Sequence, residues 1–347
     1  MKRASSSFCL VFGALFMFFV TPSLAAEKLL SGNLRIVIGS SSTGGDTYQN
    51  ASIIAEELGK KLDMNVKVDA VGVSAAFKAL ERSSDGNTIM IFHDQSYLGN
   101  LYGVKGYDNI FEKYTVGPTV AINPGDAFLA PKNSPYKSIE EIIAACGKGT
   151  RIRFAIQPGG VSEIGYSALK NAIKIQHPGM EQNLVAVNTG SQSDKNQLLF
   201  DGQAELIHGS VQANEQYTRL PANDQKAMKF LWLPARRTTI EQAKPEGMGE
   251  TSREELLKYV DPNVSVTQDG KKNFTFDKEF FILYNKQMKP ELVAYFDKAL
   301  AAIYAEGKIQ EVQKKSFFIP NYLPAAEAQK HLQDKMTQYE KIINAIK

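Results

Sequence analysis

Three short stretches hold residue types that could do chemistry together. Ser40-Ser41-Ser42-Thr43-Gly44-Gly45-Asp46-Thr47 follows one apolar run, Gln157-Pro158-Gly159-Gly160-Val161-Ser162 a second, and Asn188-Thr189-Gly190-Ser191 a third. Each leads into a helical pattern. A helix N-terminus exposes unpaired N–H groups and carries about half a positive charge. Glycines let a ligand approach the backbone, and Ser and Thr add neutral donors. None of the three stretches contains Lys or Arg, which favours a carboxylate held by neutral donors and easily released. Ser42, Thr43, Gly44 and Gly45 are the sharpest candidates, with Ser41, Asp46 and Thr47 beside them. Gly159, Gly160 and Ser162 come next, flanked by Gln157 and Val161, and then Thr189 and Gly190. Read singly, each loop is also an ordinary helix cap, because Ser, Thr, Asp and Gly are the usual N-cap residues. Read as a set, they make an anion cleft the competing interpretation.

A fourth stretch, Phe92-His93-Asp94-Gln95-Ser96, follows another apolar run. His93 and Asp94 could read the polar end of a ligand, and Gln95 joins them as a candidate, although a histidine in such a turn is as readily a satisfied surface residue. Other chemistries find no pattern. The four histidines show no H-x-x-x-H spacing and there is no C-x-x-C, so no metal or other cofactor is expected. The run around Ser162 is not G-x-S-x-G. Gly147-Lys148-Gly149-Thr150 lacks the earlier glycine of a phosphate loop and precedes a strand. Cys146 ends a helix as a small core residue. No enzyme activity is expected.

The elements that position these loops alternate. Leu34–Gly39, Val66–Val71 and Thr88–Phe92 are β-branched or wholly apolar runs. Between them lie helical patterns, one with Ala51, Ile54, Ala55, Leu58 and Leu62 on one stripe and a short one over Ala75–Arg82. Strand and helix in turn predict a parallel α/β sheet. The middle repeats this grammar: strands at Ala127–Ala130, Arg151–Ile156, Leu184–Val187, Glu205–His208 and Phe230–Leu233. A capping box at Ser138–Glu141 opens one helix and Ser252–Glu255 forms a second box. The tail has a buried run at Phe280–Tyr284, a helix from Pro290 to Gly307, and a last amphipathic helix carrying Ala328, Leu332, Met336, Tyr339, Ile343 and Ile346.

Composition fits this reading. The 347 residues are 43% hydrophobic and 22% charged, enough for a large core in one or two domains. The net charge is +3 and no basic block stands out, so no nucleic-acid or anionic-membrane surface is expected. Met1-Lys2-Arg3, the apolar run Phe8–Val20 and the small residues Ser23 and Ala25 form a cleavable export signal over residues 1–25. Its apolar core is about thirteen residues, short of the roughly 20 a membrane span needs. Cleavage leaves Cys146 alone, so no internal disulfide can form.

At these residues the chain resembles the Bug family of periplasmic solute-binding proteins, the TctC-type receptors of tripartite tricarboxylate transporters. The resemblance covers essentially the whole mature chain. It rests on Leu34–Gly39 with Gly44-Gly45 opening a helix, on Ser84-Asp85-Gly86-Asn87-Thr88, and on Pro131-Lys132-Asn133-Ser134-Pro135-Tyr136-Lys137-Ser138 with Glu141 and Ile142. It rests also on Leu198–Glu205 and on the tail from Phe280, including Pro290. The order and spacing of these motifs are more specific than any one of them. The resemblance implies an α/β, two-lobed type II periplasmic-binding-protein fold. Each lobe would be a mainly parallel sheet flanked by helices, joined by crossovers near 118–127 and 228–235. Lobe one would hold residues 27–118 and 236–347, and lobe two 119–235. The family grips one ligand carboxylate between the loop after the first strand and the glycine turn of the second lobe. That maps onto Ser42–Thr47 and Gln157–Ser162.

This chain departs from the family at several positions. Ser40 and Ser42 replace prolines, Tyr48 stands where the family has Asp, and Ser52 replaces a helix arginine. Val161 replaces the second glycine of Gly-x-Gly-Ser, and Asn188-Thr189 replaces Tyr-Lys. A Ser/Thr-Gly-Gly loop followed by Tyr48 is also similar to the TAXI receptors of TRAP transporters, but Ser134–Ser138 and Asp85-Gly86 favour the Bug family. The resemblance implies a monomeric periplasmic receptor. It would deliver a small carboxylate to a membrane transporter or present it to a membrane sensor kinase.

Overall fold

The computed structural model describes residues 29–262, 264–265 and 270–346. The export signal expected over residues 1–25 lies outside the described residues. The apolar runs form strands and the stripes form helices. The first part contains β1 (Asn33–Ile38), α1 (Asp46–Leu62), β2 (Asn65–Ala70), α2 (Val73–Glu81), β3 (Thr88–His93), α3 (Gln95–Leu101), α4 (Ile110–Lys113) and β4 (Tyr114–Asn123). The middle contains β5 (Asp126–Pro131), α5 (Ile139–Gly147), β6 (Ile152–Ile156), α6 (Val161–Gln176), β7 (Leu184–Asn188), α7 (Gln192–Phe200), β8 (Leu206–Ser210), α8 (Val211–Thr218) and β9 (Met228–Trp232). The last part contains α9 (Arg237–Ile240), α10 (Arg253–Leu256), β10 (Lys278–Asn285), α11 (Pro290–Glu306), α12 (Lys308–Lys315), β11 (Ile319–Pro320) and α13 (Ala325–Ile346).

Local chemistry accounts for the boundaries. Ser138 Oγ accepts from Glu141 N, and the Glu141 carboxylate accepts from Lys137 N at 2.7 Å, which fixes the start of α5. Ser252 caps α10 in the same way. The α1 stripe Ala51, Ile54, Ala55, Leu58 and Leu62 is buried, as are Ala328, Leu332, Tyr339 and Ile343 on α13. Among the described residues no helix is long and apolar enough to cross a membrane.

Two sheets result. The six-stranded sheet has the order β11-β4-β10-β3-β1-β2, and the five-stranded sheet β7-β6-β8-β5-β9. Helices flank both, giving a two-lobed α/β architecture. The sheets are more mixed than the expected mainly parallel arrangement. β1 pairs parallel with β2 and β3, and β6 with β7 and β8. β10 runs antiparallel to β3 and β4, and β5 antiparallel to β8 and β9. A strand buried on both faces carries an unbroken apolar run whatever its direction, so composition cannot reveal polarity. β4 escapes a sequence reading because Gly117-Pro118 looks like a strand breaker. The structure places that pair at register shifts, and β11 pairs only with Ala121 and Ile122.

The chain changes sheets within Asn123-Pro124-Gly125. Its return is later than expected. Residues beyond 236, assigned by sequence to lobe one, first pack on the five-stranded sheet. Ile240, Ala243, Leu256 and Val260 share a core with Phe230 and Leu233, and Leu233 N donates to Tyr259 O. The chain re-enters the six-stranded sheet at Lys278. α13 is not confined to one lobe either: it packs on both β4 and α6, and Lys174 Nζ donates to Ala345 O at 2.9 Å. Scattered apolar residues between loops give no signal of which sheet they will meet.

A buried ion cluster holds α13 in place. Lys335 Nζ lies 2.6 Å from Asp94 Oδ1 and 3.2 Å from Glu279 Oε2. His331 Nε2 lies 2.8 Å from Glu279 Oε2. Asp94 Oδ2 accepts from Glu279 N, and Tyr97 donates to Asp94. Burial alone would raise the Glu279 carboxyl, but Lys335 and His331 hold it down to about 2, from an ordinary 4.5. A depressed carboxyl stabilises the fold above its unfolded value, and that contribution is lost as pH falls from about 4.5 towards about 2. Lys335→Met leaves buried Asp94 without its cation and Glu279 with His331 alone, an expected cost of about 3–5 kcal/mol at pH 7. Urea unfolding of both proteins at pH 7 and pH 3 checks this: the cost should shrink at pH 3, as the buried carboxylates approach the range in which they take up protons.

Candidate functional site

The parallel strands of both sheets end at one cavity of about 300 Å³. Gly39–Ser42 follow β1, Gly72 and Val73 follow β2, and His93 and Gln95 lie at the end of β3. From the other sheet, Gln157 and Ser162 follow β6, Gly190–Gln192 follow β7, and Gly209 and Ser210 end β8. This is the carboxyl edge at which open α/β sheets bind ligands. The lobes also meet where the Tyr102 hydroxyl and Ser167 Oγ are 2.7 Å apart.

Eleven of the sequence candidates line this cavity: Ser41, Ser42, Gly45, Asp46, Thr47, His93, Gln95, Gln157, Val161, Ser162 and Gly190. Five do not. Thr43 and Gly44 are exposed and do not border the cavity. Thr189 is turned inward, with both its N and Oγ1 donating to Ile156 O. Gly160 is the N-cap of α6, its N–H bonded to Gln157 O at 2.9 Å. Gly159 has φ +71°, and a Cβ there would stand 2.9 Å from Gly99 Cα and from Val104 Cγ2. Its glycine serves the close approach of the two lobes, not the ligand.

The helix caps separate the competing interpretations of the three loops. Ser191 caps α7, its Oγ accepting from Asp194 N at 3.2 Å. That loop is an ordinary cap, although Gly190 and Ser191 still border the cavity. α1 and α6 start instead from Gly45 and Gly160, with no side-chain cap. Ser162 Oγ accepts from Gln157 N at 2.8 Å, and Ser42 Oγ from Gly44 N at 3.2 Å, so the hydroxyls hold their loops in shape. Gly45 has an ordinary φ of −92° and open space where a Cβ would stand.

The cavity is not lined by neutral donors alone, as its loops suggested. Lys278 Nζ pairs with Asp46 Oδ2 at 2.7 Å, both side chains 9% exposed, and Asn123 Nδ2 donates to the same oxygen at 2.7 Å. Burial would raise the Asp46 carboxyl, but Lys278 and these hydrogen bonds hold it below its usual value. Lys195 lies 5% exposed on α7, with Nζ donating to His208 O at 2.6 Å. Burial pulls its ammonium down to about 8. Asp126 is 4% exposed, and burial pushes it up to about 6. Its Oδ2 has no hydrogen-bond partner.

Sequence reasoning passed over Asp126 and Lys278 because each opens an antiparallel strand. An antiparallel strand brings its N-terminal end to the edge where parallel strands end, and direction is not written in an apolar run. Lys195 had a signal: it lies one helical turn beyond Ser191, on the helix whose start was already a candidate.

Two histidines line the cavity and both are held neutral. His93 is buried between Phe92 and Phe280, and its Nδ1 accepts from Gln95 N at 3.3 Å. Burial, with the nearby Lys278 charge, pulls it well below its ordinary value. His208 stacks on Phe128 with its Nδ1 3.2 Å from Val161 O. A carbonyl only accepts, so Nδ1 carries the proton and Nε2 presents a lone pair without a partner. Burial and Lys195 pull His208 down to about 3. Asp94, a candidate ligand reader, is fully buried against Lys335 instead.

Comparison with solved structures finds this architecture in periplasmic solute-binding proteins. The periplasmic binding protein BugD is 18% identical with a TM-score of 0.65, over 91% of this chain and 97% of BugD. MatC (Rpa3494) from Rhodopseudomonas palustris, with bound malate, is 15% identical with a TM-score of 0.64, over 90% and 99% of the two chains. Rpa4515 from R. palustris, with adipate, is 14% identical with a TM-score of 0.67, over 90% and 97%. No family model matches the chain, and no curated protein does. At these identities the likeness is one of fold: the chain has the two-lobed fold of Bug- and TctC-type periplasmic binding proteins.

The histidine assignments are open to direct measurement. Imidazole ¹⁵N shifts should hold His208 as the neutral Nδ1–H tautomer from pH 8 to pH 4. His331, whose partner Glu279 raises it, should titrate above 6.5.

Proposed function

We propose that the protein is an exported solute-binding receptor that closes on one small carboxylate and delivers it to a tripartite tricarboxylate-type membrane transporter. The observation that carries this is the convergence of strand ends from both sheets on one polar cavity, with two helix N-termini that start from glycines. One ligand carboxylate would lie between Ser41–Thr47 and Gln157–Ser162, where the α1 and α6 termini and the loop hydroxyls offer donors. The malate and adipate in MatC and Rpa4515 support a carboxylate ligand for this architecture. Solute and both lobes would then form one closed unit, and hinging at Asn123–Gly125 and at the irregular segment leading into Lys278 would open it. We assign the protein to the periplasm, through residues 1–25, and give it no catalytic step. We divide it into a first lobe around the six-stranded sheet and a second around the five-stranded sheet, which keeps residues 126–260, with α13 lying across both.

Native mass spectrometry of gently purified protein should find one small carboxylic acid per chain. Gly45→Phe places a ring in the open space at the head of α1 and should weaken binding of that acid roughly 100-fold or more, by steric exclusion. Its Tm should change by less than about 3 °C, since no native contact is lost. Trp232, the one tryptophan, reports occupancy: it stacks on Phe128 at 4.7 Å, and Phe128 on His208 at 4.6 Å. A co-purified neutral sugar, or unchanged affinity in Gly45→Phe, would sink the proposal.

A further inference from the structure

The charges of the cavity are not balanced in the same way at every point. Asp46 and Lys278 neutralise each other at 2.7 Å, with Asn123 completing the pair. Asp126 and Lys195 have no such close partner among the described residues, and Lys278 and Lys195 act on Asp126 only at longer range. Lys195 Nζ donates to one backbone carbonyl, that of His208, which takes one of the ammonium's three protons. Asp126 keeps an oxygen without a hydrogen-bond partner, and His208 adds an unpartnered Nε2 lone pair. All three residues line the cavity and are at most 5% exposed. A buried polar atom without a partner is costly and calls for a group that supplies one.

We infer that the solute is an amino acid in the broad sense, carrying an ammonium that Asp126 receives and a carboxylate whose charge Lys195 balances. This rests on the carboxylate-receptor reading and deepens it. A neutral zwitterion leaves no net charge in the closed cavity, whereas a dicarboxylate would set a second anion near Asp126. The neighbouring Nε2 lone pair of His208 also accepts a proton donor, not another acceptor. Burial raises Asp126 to about 6 and lowers Lys195 to about 8.

Four acids with the same carbon skeleton test this: butanoate, butanedioate, 2-aminobutanoate and 4-aminobutanoate. Each is titrated calorimetrically and by Trp232 fluorescence into the full chain after ligand removal by mild unfolding and refolding. One or both amino compounds should bind about tenfold or more tighter than butanoate and butanedioate, the size expected for a charged hydrogen bond. Asp126→Asn keeps the shape of the side chain and should reduce that advantage to below about threefold. Lys195→Met should weaken binding of all acids that bind. Tightest binding of butanedioate or butanoate, or an amino preference that survives Asp126→Asn, overturns the ammonium assignment and leaves the carboxylate receptor standing. Binding of none of the four overturns both.

Discussion

One buried ion pair ties together the places on which the rest of the structure depends. Asp46 is the first residue of α1, Lys278 the first residue of β10, and Asn123 the last residue of β4 before the chain changes sheets. The Asp46 carboxylate takes Lys278 and Asn123 on one oxygen and Thr47 N on the other. Two charges out of water cost several kcal/mol each, and the pair holds only because its remaining valences are met. Its geometry fixes the head of the loop Ser40–Asp46 against the outgoing and the returning strands. Asn123 also donates to Gln212 at 3.1 Å, which carries the same constraint into the second lobe.

Strand direction converts that constraint into a site. Parallel strands deliver loops and helix N-termini to one edge, and those supply neutral donors. Antiparallel β5 and β10 deliver their first residues to the same edge, and those are Asp126 and Lys278. The mixed sheets therefore give the cavity two kinds of chemistry, backbone dipoles from one set of strands and full charges from the other. Burial tunes the charges: it moves Asp126 up and Lys195 down, and it keeps His93 and His208 uncharged.

Rigidity around the cavity comes from apolar and ionic packing acting together. The stack His208–Phe128–Trp232 runs from the cavity wall into the core of the second lobe. On the other side, α13 is pinned by Lys335 between Asp94 and Glu279, and its buried stripe covers β4 and α6. Asp94 lies immediately before α3, so the ion cluster also positions Gln95, whose amide donates to the Tyr107 hydroxyl at 2.7 Å.

Much of this was written in the order of residues. Apolar runs and stripes are local, so their periodicity marked most strands, the helices α1, α6, α11 and α13, and the caps at Ser138 and Ser252. Three hydroxyl- and glycine-rich loops were legible as strand-to-helix turns, and nine of their candidate residues border the cavity, with His93 and Gln95 of the fourth stretch. Tertiary structure alone decided what depended on distant partners. It settled the direction of β5 and β10, whose burial hides their polarity, and so the arrival of Asp126 and Lys278. It turned Gly159 into a lobe contact, Thr189 into an inward tether and Asp94 into an ionic anchor. It also gave residues 237–260 to the second sheet, because a few isolated apolar side chains carry no address until the surface they cover exists.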